Sequence, residues 1–172
     1  MKRAFTLIEL LIVVTIISIL SVIGVFNYIR AVANAREASL KMNMHTLHTV
    51  VEIYVTISGG YYPGGIDTKI KDVNPEMADD PEGDKSIADG RRAPPFSQNA
   101  LLLPHLGFKN PFKADEKAID NLTSGPPAVP PSGCVYYTGY KEDGSITSEG
   151  EAASKYSICA FGAKKPLDLT LP

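Results

Sequence analysis

Apolar and polar positions are distributed unevenly along this chain. From Leu10 to Ile29 run 20 consecutive residues without a charge, most of them Leu, Ile or Val. At about 1.5 Å per residue, a helix of that length spans roughly 30 Å, the thickness of a bilayer's hydrocarbon core. Past Ile29 polarity rises, yet a helical period persists. Leu40, Met44, Leu47, Val51, Tyr54 and Val55 recur mainly three and four apart, which lines one face of an amphipathic helix. Arg30, Arg36, Glu37, Lys41, Asn43 and Glu52 supply the polar complement. No proline precedes Pro63, and Gly59-Gly60 offers a stop. The pattern predicts one helix from about Phe5 to Ser58, on the order of 80 Å long. Its first half is apolar all round, and its second half is the spine of a folded head.

The remainder reads differently. Tyr61-Tyr62-Pro63-Gly64-Gly65 turns the chain. Residues 67–90 are acidic and polar, with Asp72, Glu76, Asp79, Asp80, Glu82, Asp84 and Asp89, and read as a solvated loop. Phe96, Leu101-Leu102-Leu103, Phe108 and Phe112 are candidates to dock on the head, and Pro126-Pro127 and Pro130-Pro131 interrupt regular structure. Cys134–Tyr140 and Lys155–Phe161 are aromatic and β-prone. A polar link with Asp143-Gly144 and Glu149-Gly150 joins them, predicting a meander or hairpin packed on the amphipathic helix. The fold class is therefore α+β, with a long N-terminal helix on a small antiparallel sheet carrying long loops.

Composition narrows the function classes. One domain's worth of chain, 172 residues, carries a net charge of −2, which gives no support for nucleic-acid binding. Two cysteines and three histidines leave little for a zinc cluster. His45 and His48, with Glu52 four further on, read as a solvated helix face rather than as metal ligands. Cys134 and Cys159 face each other across the predicted hairpin. Outside the cytoplasm such a pair reads as a disulfide, closing a loop of about 26 residues and contributing about 3.5 kcal/mol in the chain-entropy model; the alternative is two buried thiols. The chain has no GxSxG, P-loop or GxGxxG motif. No catalytic residue and no metal ligand is assigned.

The first residues fit no ordinary secretory signal. Lys2 and Arg3 are basic, but the small residue Ala4 precedes the apolar run instead of following it. The positive-inside bias keeps Lys2 and Arg3 cytoplasmic and sends the rest across. Glu9 is the anomaly. A carboxylate deep in a membrane helix costs about 2.5–3.5 kcal/mol, and less near the interface. Either it sits at headgroup level in the first turn, where a negative charge suits the helix dipole, or it needs a cationic partner.

Ala4-Phe5-Thr6-Leu7-Ile8-Glu9, then Leu10-Leu11-Ile12-Val13-Val14, resembles the processing site of type IV prepilins and type II secretion pseudopilins. The resemblance implies cleavage by prepilin peptidase between Ala4 and Phe5 and methylation of the new amino terminus on Phe5. It makes Glu9 the glutamate used in subunit assembly, its carboxylate meeting the amino terminus of a neighbouring subunit. It also implies a leader over residues 1–4, a membrane and filament-core helix over 5–29, and a periplasmic or extracellular head over 30–172. The implied location is the bacterial inner membrane, then a pilus or pseudopilus. The implied partners are other pilin or pseudopilin subunits and an inner-membrane assembly platform.

Three positions depart from the family pattern. Ala4 stands where Gly is usual. Ser18 and Phe26 stand where major pilins often carry a helix-breaking Gly and Pro. The two missing breakers and the long irregular head lean towards a pseudopilin or minor subunit. No cofactor is implied. Some pseudopilins bind calcium in a C-terminal loop, but Glu142, Asp143, Glu149 and Glu151 match no such loop residue by residue. The leading reading is a structural filament subunit and not an enzyme. The alternative is a membrane-anchored binding module that does not polymerise. Without Lys2 and Arg3 the chain has 15 basic and 19 acidic residues, a net of −4.

Overall fold

A computed structural model describes residues 6–87, 108–122, 132–162 and 166–169. Phe96, Leu101–Leu103, Pro126-Pro127 and Pro130-Pro131, together with Ala4 and Phe5, lie outside them. The chain divides into two compact units, Met1–Arg36 and Glu37–Pro172.

Helix α1 runs over Leu7–Ile57, 51 residues without a break. No proline interrupts it, and the hydroxyls of Thr15, Ser18, Ser21, Thr46, Thr49 and Thr56 donate back to its own carbonyls. It ends where the glycines allow: Gly59 and Gly60 take φ of 79° and 105°, the left-handed region open to glycine. There the Gly60 N–H donates to the Val55 carbonyl at 2.8 Å, satisfying a last-turn acceptor.

In the second unit, Leu40, Met44, Leu47, Val50, Val51 and Tyr54 of α1 are buried, and Val55 is partly so. They pack with Val135, Tyr137, Ile158 and Ala160 in one core cluster. The last four come from β3 (Val135–Tyr140) and β5 (Lys155–Phe161), which pair antiparallel with Tyr137 opposite Ile158. The two β-prone runs thus form the predicted strands, and period-two alternation sends Val135, Tyr137, Ile158 and Ala160 to the core. Phe108 and Phe112 pack against the same cluster.

Two features correct the expectation. The four-stranded sheet, in order β2-β3-β5-β6 with β2 at Ile119–Asn121 and β6 at Pro166–Leu169, is mixed rather than antiparallel. Strand β2 runs parallel to β3. The connection between them, residues 122–134, has the length a parallel crossover needs and a tight turn lacks. Secondly, the acidic stretch is not simply a solvated loop. Ile66, Ile70, Val73 and Ile87 are buried in the core, in and around a short helix α2 (Ile70–Val73) and a 3-10 turn (Pro75–Met77). Ile66, Ile70 and Val73 recur at four- and three-residue spacing and dock, Ile87 joins them from the end of the stretch, and carboxylates such as Asp79 and Asp80 stay in water. A second, two-stranded sheet joins β1 (Tyr62–Pro63) to β4 (Ala152–Ala153). Close approach there demands glycine: a Cβ on Gly64 would lie 2.3 Å from the Ser148 carbonyl oxygen.

Candidate processing and assembly segment

The first described residue already shows how the helix begins. The Thr6 N–H donates to Glu9 Oε2 at 2.9 Å, and the Thr6 hydroxyl donates to the same oxygen at 2.8 Å. In return the Glu9 N–H donates to Thr6 Oγ1 at 3.3 Å. This is a capping box, with Thr6 at the N-cap and Glu9 at the third helical position. It satisfies two amides that a helix start leaves without intrahelical acceptors. Sequence reasoning singled out Glu9 and passed over Thr6. The missed signal was Thr-x-x-Glu directly ahead of an apolar run.

From Leu7 to Ile29 every large apolar side chain of the stem is exposed, between 45% at Val13 and 82% at Leu7. This surface encircles the helix rather than forming one stripe. The few polar side chains within it are internally satisfied: Thr15 donates to the Ile12 carbonyl, Ser18 to Val14 and Ser21 to Ile17, each at 2.7 Å. Hydroxyls so engaged need no water, which lowers the cost of a dry environment. Ser18 and Phe26, at the two breaker positions, are both helical, and Gly24 has nothing within 4 Å of the place a Cβ would take. Helix α1 is the candidate membrane span among the described residues, by length and composition.

Comparison with known proteins meets this geometry at the same place. Residues 1–25 match the family described as the prokaryotic N-terminal methylation motif. This chain carries the prepilin signal of type IV pilins and pseudopilins. Its α+β layout, a long apolar helix followed by small sheets, is pilin-like. No curated protein and no solved structure matches the chain.

Elsewhere in this prepilin-type chain, the singled-out residues take separate partners. His48 does not join His45, which is exposed. Its Nδ1 lies 2.8 Å from the Tyr156 hydroxyl, which donates to Glu52 Oε1 at 2.8 Å. Because Tyr156 has one hydrogen and gives it to Glu52, His48 Nδ1 carries the proton in its contact. Tyr156 of β5, not itself foreseen as a polar partner, thus fastens two residues of α1. Burial and then the bond to Glu52 push the Tyr156 phenol up.

The four loop acids also separate. Glu151 pairs with Lys141 at 2.8 Å. Asp143 accepts from the Ser145 hydroxyl and amide, at 2.6 and 2.8 Å. Glu149 accepts from Asn121, and Glu142 is exposed. The Ser145 bonds hold Asp143 below the usual carboxylate range, and Lys141 does the same for Glu151. Among the described residues no three His, Cys, Asp or Glu side chains come together as a metal-holding group. Cys134 is buried ahead of β3, and Cys159 of β5 stands opposite Tyr136. The register thus puts the two cysteines on one face of adjacent strands, on a diagonal.

Proposed function

We propose that this chain is a structural subunit of a type IV pilus or a type II secretion pseudopilus. It enters the inner membrane with residues 1–4 cytoplasmic, prepilin peptidase cuts between Ala4 and Phe5, and Phe5 is N-methylated. It then joins other pilin or pseudopilin subunits on an inner-membrane assembly platform. One coincidence supports this reading. The methylation motif over residues 1–25 falls on a helix whose apolar surface runs all round and whose first turn holds a carboxylate.

In the filament, stems pack side by side in a dry core. The capping box engages one oxygen of Glu9, and the ammonium of a neighbour's Phe5 binds the carboxylate as well. Two charges that are each costly in hydrocarbon become a pair, which fixes axial register more than it adds stability. The role is structural rather than enzymatic, without cofactor or nucleic acid. The unbroken helix through Ser18 and Phe26 favours a pseudopilin or minor subunit.

Glu9→Gln separates charge from capping, because Gln retains a capping box, whereas Glu9→Val removes both. The expected result is that both variants are trimmed to methylated Phe5, seen by mass spectrometry of the amino terminus, and both are left out of filaments. Incorporation of Glu9→Gln at the wild-type level refutes charge pairing. An intact Met1 in the native protein, or a cut after the apolar run, refutes the class. Cys134 and Cys159 form a disulfide in this reading, by exchange with an oxidising disulfide of the compartment that takes up the two electrons and two protons. The intact mass after export should be two hydrogens lighter than that of the reduced chain, and two alkylatable thiols would refute the bond.

A further inference from the structure

The outer end of the stem carries a charge pattern that polymerisation alone does not use. Between Glu9 and Glu37 the chain has no acidic residue, and its only charges there are Arg30 and Arg36. Both are exposed, and neither joins an ion pair among the described residues. Arg30 directly follows Ile29, the last residue of the uncharged run, and Tyr28 beside it is 70% exposed.

At about 100° per residue, Arg36 and Arg30 stand roughly 80° and 200° around the helix from Tyr28. A protein partner covers one side of a helix, whereas a lipid leaflet surrounds it. Arg36 lies about 9 Å further along the axis than Arg30, but helical side chains lean back towards the N-terminus. Both guanidiniums therefore reach the layer just outside the apolar run, where an aromatic belt residue also belongs. Basic residues on the translocated side oppose the positive-inside bias, so orientation does not account for them. Guanidinium pairs with phosphate oxygens in two-point geometry.

We infer that Tyr28, Arg30 and Arg36 form a collar that binds anionic phospholipid headgroups in the outer leaflet of the membrane the stem crosses. The collar rests on the membrane-subunit reading above, and holds the subunit at a set depth before it leaves the bilayer.

The test uses the leader-processed full chain in neutral detergent, offered phosphatidylglycerol or phosphatidylcholine and read by native mass spectrometry. Phosphatidylglycerol adducts should exceed phosphatidylcholine adducts by about twenty-fivefold, from about fivefold for each arginine. The Arg30→Gln/Arg36→Gln variant should show near parity while still floating with vesicles. Equal adducts on the native chain, or a preference that survives in the variant, overturns the collar alone. A change in oligomer distribution without a change in lipid adducts assigns the arginines to a second copy and also overturns it. A chain that fails to float with any vesicle overturns the membrane reading itself.

Discussion

Thr6 and Glu9 close the start of the helix with their own side chains: the Glu9 carboxylate caps it through two bonds from Thr6, and in the proposed filament the same carboxylate takes a neighbour's ammonium. Replacing an N-cap Thr costs about 1 kcal/mol. Thr6→Val should therefore fray the first turn, seen as faster amide exchange at residues 7–10 in micelles, with the rest of the stem unchanged. Unaltered exchange there would show that the box carries no weight. Glu9 was legible because a lone acid before an apolar run is conspicuous. Thr6 was not, because threonine is ordinary until its spacing to the glutamate is read as a cap.

Within the second unit, α1 meets the sheet through both an apolar seam and a polar clasp. The seam, Leu40 to Tyr54, followed from periodicity alone, except that Val50 joins it. The clasp did not, since His48 and Glu52 lie more than a hundred residues from Tyr156 and no local pattern joins them. Tyr156 also stacks with Tyr137 at 5.8 Å and with His48 at 6.2 Å. Tyr156→Phe keeps the ring and removes the hydroxyl that His48 and Glu52 share. A loss of about 1–2 kcal/mol is expected, read as a lowered unfolding midpoint of the full chain in detergent. A midpoint equal to wild type would make the clasp incidental. The acidic stretch was misread for a related reason. Its charges are conspicuous, while Ile66, Ile70, Val73 and Ile87 act only once a surface exists to receive them.

At the scale of the whole molecule, charge is divided between the units. Residues 37–172 hold 13 basic and 18 acidic residues, whereas Phe5–Arg36 holds Glu9, Arg30 and Arg36 alone. Four tyrosines tie the head's stability to pH. Burial pushes the phenols of Tyr54, Tyr136, Tyr137 and Tyr156 up, with Asp72 adding to the effect at Tyr54 and Glu52 at Tyr156. A raised folded pKa means the unfolded chain loses its protons first as pH rises. The stabilisation is complete below about pH 10, the ordinary tyrosine value, and is lost progressively above it. The head should unfold in alkali, with phenolate absorbance rising in step with loss of near-ultraviolet dichroism. Ionisation of all tyrosines around pH 10 with the fold retained would contradict this.

The long helix, its stop at the glycines, its apolar and amphipathic halves and the two main strands were all present in residue order. Each depends on neighbours a few positions apart: periodicity, side-chain size, or a glycine free to take positive φ. The parallel partner β2, the docking of the acidic segment, the diagonal placement of Cys134 and Cys159 and the Tyr156 clasp were settled only when distant segments packed. Those features depend on which surfaces meet, and burial, not local preference, selects among the partners a chain could bring together.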